Sequence, residues 1–573
     1  MTPRTKKTTK RHRASYKLRI IPLGGMEEVG KNMTIFEYGN DIIVLDMGLQ
    51  FPEEGMHGID YIIPNISYLK GKEKNVKAVI FSHGHLDHIG AAPILLERLG
   101  YPTILGRPLT LAMVKHRQED YKPKSSNLLK VLPIKDIKNQ FSFGAFKIGF
   151  FQVDHSIMDA VGVILETPEG TILHPGDWTL DKDKHGKPIL DYSRLSKTIK
   201  RPTILMLESL GSVDIRPSAS HDEMHKNLAE IIKNSEGRIV IGTFASQIER
   251  VNWIMQAAQE AGKKIALDGY SMKMNIEIAR KLGYVKIKKE ALIKVGAIGD
   301  YPDNKIIVIA TGAQGEGNAV LSRIINGSHK NIKLKKTDTV VLSSSIIPGN
   351  EATIQKLKDG LYRQCDNVIH GDLMDIHVSG HGNREDILYM LKSIKPNYFI
   401  PVYGHHYMLR EAAKLAANNG MKKNNIFVLD NGEVAEFEKG KTKILDKKVD
   451  ASNVFVDGLG IGDVGNIVLK DRQVMADDGM VVTVIQVNTK TRKVINNPDI
   501  ITRGFIHIKS SEALMEKIRM HAKKLTQDII QKNMPKKHEQ WGAIRARLRD
   551  DLSDFIFKET ERHPMVLPVI IKV

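Results

Sequence analysis

Seven consecutive residues, Ser82-His83-Gly84-His85-Leu86-Asp87-His88, follow directly on the apolar run VKAVIF (76–81) and limit what this chain can become. Three imidazoles and one carboxylate fall within six positions. On a helix, groups at i, i+2, i+4 and i+5 would not all face one point. In a loop at the end of a strand they can converge. Imidazole and carboxylate donors suit Zn²⁺ or Mn²⁺, so the run predicts a strand that opens into a metal-binding loop.

The rest of the chain supplies strands in plenty. LRIIPLGG, NMTIFEYG and DIIVLDMG are short β-branched runs punctuated by Gly and Asn. AAPILLERLG predicts a helix closed by Gly100, and FKIGFFQVDH, AVGVILETPEG and GTILHPGD predict further strands. After TILMLE, which ends at Glu208, strands and helices alternate as far as YFIPVYG. That alternation predicts a parallel sheet with crossover helices. The charged stretch EKGKTKILDKKV (438–449) lacks a strong period and reads as linker. Beyond it come strands near 480–488, a long helix from about Ser511 to Lys532, another near Gln540–Lys558 and a final strand, MVLPVIIKV.

Two further polar groups close apolar strands, where layered α/β folds keep their functional groups. His155 ends FFQVD, and Asp177 lies in His174-Pro175-Gly176-Asp177 after GTIL. Each alone is an ordinary loop residue; beside HGHLDH both read as ligands.

HGHLDH matches the H-x-H-x-D-H signature of the metallo-β-lactamase superfamily, which the chain resembles. Asp46, ending DIIVLD, matches that family's first motif, an acid that orients the loop; His155 and Asp177 match the third and fourth. The resemblance implies that His83, His85 and His155 bind one metal, that Asp87 and His88 bind another, and that Asp177 bridges them. Two divalent ions per subunit are implied, zinc first, with manganese or magnesium as alternatives. Such a pair lowers the pKa of a shared water and clamps the attacking and departing oxygens of a displacement at phosphorus. Asp87 can ligate and also accept a hydrogen bond from the hydroxide.

The long insertion after Glu208, followed by HVSGH, resembles the β-CASP subgroup of nucleic-acid hydrolases rather than hydrolases of small esters or lactams. Glu208 in LMLES matches its first special motif and His381 its second. A carboxylate-paired His381 stays partly protonated and can donate to the leaving 3′ oxygen. The likeness narrows to the ribonuclease J family on IIPLGGMEEVGKNM, GTFASQIERV, ATGAQGEGNAVLSRI, SSSIIPGNE, HVSGHGNREDI and DGLGIGDVGNIVLKDR, essentially the whole chain after residue 17.

That resemblance implies an α/β protein: a metallo-β-lactamase αββα sandwich (18–208 and 373–437) with an inserted α/β β-CASP domain (209–372), a linker (438–453) and a small α/β C-terminal domain (454–573). It implies a 5′-to-3′ exonuclease with endonuclease activity that uses a metal-bound hydroxide on single-stranded RNA, in mRNA decay and rRNA maturation. Asp87, Glu208 and His381 would be catalytic. Thr243, Ser246, Tyr270, His377, Ser379, Gly380 and His381 would contact RNA. A homodimer or homotetramer and association with other RNA-decay proteins are also implied. The choice of RNA over DNA rests on the resemblance.

Two motifs depart from the family. PVHGE reads Pro401-Val402-Tyr403-Gly404-His405, which puts a phenol, with an ordinary pKa near 10, where a histidine completes the second metal's shell. Either Tyr403 binds as phenolate, or His405 or His406 replaces it, or the second metal is weakly held. Two residues on, His405 would share a strand face with Tyr403. In DGYSM, Tyr270 stands where relatives carry arginine and can stack on a base. The alternative function is therefore a catalytically weak RNA-binding partner of an active family member.

Charge and composition agree with a polyanion substrate. Lys and Arg number 85 against 66 Asp and Glu, a net +19 that speeds encounter with nucleic acid. Residues 1–17 hold seven of those cations and no acid, and predict a disordered basic arm. The one cysteine, Cys365, rules out an internal disulfide framework and fits a reducing cytoplasm. No apolar run approaches the ~18 residues of a membrane span, and no signal-peptide h-region is expected.

Overall fold

Strands such as Phe146–Gln152 alternate, with Phe146, Ile148 and Phe150 on one face, and so must bury that face against another layer. The computed structural model shows which. It describes residues 16–573 except 54, 184, 217–220, 345, 347–349, 375, 377, 507–510 and 533–537, with only the backbone of 538–540. The expected RNA contact His377 and the first fifteen residues of the basic arm lie outside the described residues.

Two sheets pack face to face. The first has eight strands in the order Lys441–Ile444, Ala435–Glu438, Leu18–Gly24, Met33–Tyr38, Asp41–Leu45, Val76–Ile80, Thr103–Gly106, Val131–Pro133. The second has six: Tyr398–Val402, Thr203–Glu208, Gly170–His174, Val161–Thr167, Phe146–Gln152, Phe141–Phe143. Leu18, Ile20, Phe36, Ile43 and Ile80 of the first meet Phe146, Ile148, Val163, Ile204 and Ile400 of the second in one core. Helices Arg384–Ile394 and His406–Asn418 cover the second sheet's outer face, burying Ile387, Leu391 and Leu415 against Leu173, Leu205 and Phe399. This is the expected αββα sandwich.

Thr203–Glu208 pairs in parallel with Tyr398–Val402, so Glu208 lies opposite Val402. Between those neighbours the chain makes an excursion into a third sheet, six strands all parallel: Leu292–Ile293, Lys264–Asp268, Ile306–Ala310, Ile239–Gly242, Thr339–Leu342, Asn367–His370. Its strands IIVIA and TVVL are buried at every position, as a sheet covered on both faces requires. The excursion is tied back to the sandwich at Asp159. That residue, at φ +67°, accepts from Arg107 at 3.1 Å, from the Leu109 amide at 3.0 Å and from the Tyr284 hydroxyl.

The stretch 438–453, read as linker, contains the strand Lys441–Ile444, paired with Ala435–Glu438 at the first sheet's edge. Its charged, short character is that of an edge strand. A second compact unit comprises residues 51–62 and 454–573. There Met480–Asn488 pairs with Asp499–Arg503 and, in parallel, with Met565–Lys572. Helices Glu512–Lys532 and His538–Thr560 bury Ile518 and Leu548 against Val481 and Ile485.

Candidate metal centre

The apolar strand Val76–Ile80 runs into the sandwich and stops at Phe81, and the His-rich loop turns at its end. Gly48 lets that loop in: a Cβ there would lie 1.6 Å from the Asp87 carbonyl oxygen. Donor atoms of His83, His85, His155 and Asp177 all lie within 4.8 Å of one another; so do those of Asp87, His88 and Asp177, and those of Asp177, Glu208 and His381. Asp177 belongs to all three groups. The six expected ligands thus come together from three strand ends.

Orienting bonds set which nitrogen each imidazole offers. His155 donates Nδ1–H to the Gly380 carbonyl at 2.7 Å, which leaves Nε2 facing Asp177 at 3.9 Å. Asp46, fully buried at φ +61°, accepts from the Ser82 amide, the Ser82 hydroxyl and His88 Nδ1, each at 2.8 Å. His88 Nε2 then faces Asp177 at 3.1 Å and Asp87 at 3.5 Å. Such outer bonds fix the tautomer and raise ligand basicity.

The donor set fits divalent cations. Nε2 of His83 and of His85 is buried with no hydrogen-bond partner. Burial holds the His85 imidazole down at about 4 and, with His85 beside it, His155 at about 3. Neutral rings with lone pairs are what a cation binds. Burial disfavours charge on His88 too, yet Asp177, Asp87 and Asp46 together hold its proton well above the usual range. A carboxylate excess of that kind is what divalent ions neutralise.

Beside this centre, His381 Nδ1 stands 2.5 Å from Glu208 Oε1 and 3.9 Å from Asp177. Glu208 Oε2 accepts from the Trp178 amide at 3.0 Å. Burial alone would lower His381, but Glu208 outweighs it and raises the imidazole to about 9. Burial also pushes Glu208 up, to about 7, but it stays below its partner, so the shared proton favours His381.

Tyr403 is buried, its ring centroid 5.4 Å from His88 and 5.2 Å from His174. Burial, then the carboxylates around it, raises its hydroxyl well above the usual phenol range. The expectation that His405 shares its strand face is not met. The strand stops at Val402, Tyr403 turns to φ +56°, and His405 precedes helix His406–Asn418 with its ring stacked on Tyr407. His406 lies in a separate group with Glu27 and Asp430. Neither joins Asp87, His88 and Asp177.

Among the expected RNA contacts, Ser379 Oγ accepts from the His381 amide at 3.1 Å, a local turn. Gly380 serves through its carbonyl, and a Cβ there would lie 2.7 Å from Ser156 Oγ. Thr243 is buried and donates to the Ser343 carbonyl at 3.0 Å. Ser246 is half-buried before helix Ile248–Glu260, and Tyr270 is 66% exposed. Sequence reasoning missed Asn32, whose Nδ2 lies 2.9 Å from His88 Nε2 and 3.3 Å from Asp87. It also missed His174, whose Nε2 is buried without a partner. The HPGD motif pointed at the second; nothing local marked the first.

Known proteins match this chain over nearly its whole length. Family models match for the metallo-beta-lactamase superfamily at 27–242, the ribonuclease J beta-CASP domain at 236–361, the Zn-dependent metallo-hydrolase RNA specificity domain at 368–429 and the ribonuclease J C-terminal domain at 467–573. Ribonuclease J2 of Bacillus subtilis is 36% identical over 97% of this chain and 99% of its own. The chain belongs to the ribonuclease J family. Other relatives include ribonuclease J 2 of Staphylococcus aureus, 34% identical over 97% of this chain and 98% of its own, and ribonuclease J 1 of Streptococcus pyogenes, 34% over 96% and 97%. A solved Enterococcus faecalis protein of unknown function shares the fold, with TM-score 0.50 and 14% identity over 74% of this chain and all of that one.

Proposed function

We propose that this member of the ribonuclease J family is a metal-dependent ribonuclease that hydrolyses phosphodiesters of single-stranded RNA, 5′-to-3′ from an end and also internally, in mRNA decay and rRNA maturation. The observation that carries this is the sharing of Asp177 by two adjacent donor sets and by the Glu208–His381 pair. His83, His85, His155 and Asp177 would hold one divalent ion, and Asp87, His88 and Asp177 a second; zinc suits this nitrogen-rich set best. When bound, such ions supply Lewis acidity at phosphorus and an acidified water.

The chain's own residues do the rest. Asp46 and Gly380 aim two imidazoles. Asp87, partly open to solvent, is placed to accept a proton from the attacking water. His381, held cationic by Glu208, presents an acid to the leaving 3′ oxygen, and proton transfer of this kind is worth roughly 10²–10⁴ in rate. The basic surface gathers RNA. No helix among the described residues is long and apolar enough to cross a membrane, and we place the protein in the cytoplasm on its single cysteine. The domain division at 208/209, 372/373, 437/438 and 453/454 belongs to the same proposal. So does self-association as a dimer or tetramer, supported by Leu567, Val569 and Ile571 exposed in a row on strand Met565–Lys572, and association with other RNA-decay proteins.

The test is single-turnover cleavage of a 5′-labelled RNA by metal-loaded protein, with His83→Ala beside it. Cleavage by the native chain, and its loss in the variant with RNA binding retained, is expected. An intact RNA with the native chain, or full activity in the variant, overturns the reading. Tyr403 favours a second reading, a catalytically weak RNA-binding partner subunit, because it leaves the second set with three donors against four. Tight metal binding without cleavage would establish that reading instead.

A further inference from the structure

The inserted parallel sheet carries a cavity of about 230 Å³ that the centre above does not use. It opens at the carboxyl ends of Ile239–Gly242, Lys264–Asp268 and Ile306–Ala310. From Ile239–Gly242 the next crossover runs to one side of the sheet, and from the adjacent Ile306–Ala310 it runs to the other. A switch point of this kind is where open parallel sheets receive ligands.

Its walls say what ligand. Phe244, Tyr270, Ser271, Thr311 and Glu316 supply a phenyl ring, a phenol, hydroxyls and one carboxylate, the Thr243 hydroxyl being committed to Ser343, and no lysine or arginine is among the lining residues described. The nearby Lys273 is committed to Asp268 at 2.8 Å, and His329 Nε2 holds that carboxylate's other oxygen at 2.9 Å. Asp268 thus pins the turn that starts helix Tyr270–Lys281. Gly269, at φ +110°, closes it against Thr311, which a Cβ would meet at 2.6 Å. The turn presents Tyr270, 66% exposed, at the mouth.

We propose that this cavity is a nucleobase subsite for the RNA strand, selective for bases with an exocyclic amino group, and not a receptor for a terminal phosphate. The inference rests on the RNA reading above. A base stacks on the Tyr270 ring and donates its amino hydrogen to Glu316, with Ser271 and Thr311 around its edge. A doubly charged phosphate would instead meet the Glu316 carboxylate with no side-chain cation to offset it.

The experiment is an anisotropy titration of metal-loaded, full-length protein with phosphorothioate-linked ten-mers of cytidine or uridine, each with a 5′-hydroxyl or a 5′-phosphate. Cytidine should bind a few-fold tighter than uridine. Tyr270→Ala should weaken both by about five- to tenfold, at the low end of base–aromatic stacking, while Tyr270→Phe should not. Glu316→Ala should erase the cytidine preference and leave uridine unchanged. The 5′-phosphate should change Kd by less than about threefold. An unaltered Kd in Tyr270→Ala, or a tenfold gain from the 5′-phosphate, overturns the inference while leaving the nuclease reading intact. Failure to bind any of the four RNAs overturns both.

Discussion

Replacing Asp46 by asparagine should strip the second metal from a centre that keeps its shape. The carboxylate accepts three bonds of 2.8 Å, two from Ser82 and one from His88 Nδ1. Asparagine can keep its oxygen on the Ser82 amide, but its NH₂ group then faces the Ser82 hydroxyl and His88 Nδ1. The hydroxyl can turn to accept. The imidazole can accept only by moving its proton to Nε2, the nitrogen that faces Asp87 and Asp177. The lone pair needed by the second cation is then gone. A bond to a charged group contributes about 1.5–3 kcal/mol, which at about 1.4 kcal/mol per decade is a factor of roughly 10 to 150. Loss of partners that orient metal ligands costs about 10- to 100-fold in affinity, the same range. We expect the weaker of two dissociation constants, measured by chelator competition with Zn²⁺ or Mn²⁺, to rise by about that factor, with the tighter one changed far less. Imidazole nitrogen shifts should report the exchanged tautomer of His88. A folded Asp46→Asn protein that binds two metals with native affinity would refute the orienting role argued for Asp46.

Three further outcomes follow from the same geometry. Tyr403→His should raise occupancy of the second metal, read as metal per chain after dialysis, because an imidazole 5.4 Å from the His88 ring replaces a neutral phenol. Glu208→Gln should lower the single-turnover rate about 10²-fold or more with little change in RNA affinity, since it removes the anion that keeps His381 cationic. Gly380→Ala should weaken the first metal, because the new Cβ would lie 2.7 Å from Ser156 Oγ and 3.1 Å from His155 Cε1 and so push the 155–156 segment away; isothermal titration with Zn²⁺ checks it.

The His-rich loop was legible because its ligands are neighbours in sequence and its strand announces where it ends. His155 and Asp177 were legible only in its company. Glu208 and His381 are 173 positions apart, and family likeness, not periodicity, joined them. His405 was misplaced because alternation was extended past Val402, and no side-chain pattern tells that Tyr403 leaves the extended region. The same blindness turned Lys441–Ile444 into linker: an edge strand shows charge on both faces. It also missed residues 51–62, which cluster with the far end of the chain. Asn32 acts through one amide reaching a loop 55 residues on, and spacing carries no trace of that.

The inserted domain leaves the sandwich just after Glu208, and the returning chain lies beside the outgoing one where Asn383 bridges Gly211. Both tethers therefore share one short axis, like the two leaves of a door hung from a single post. Rotation about a post displaces the far edge most and the hinge line least. The proton donor and its anion stand at that line, and the Asp159 tie to Tyr284 fastens the insert a second time away from it, so the acid keeps its station beside Asp177.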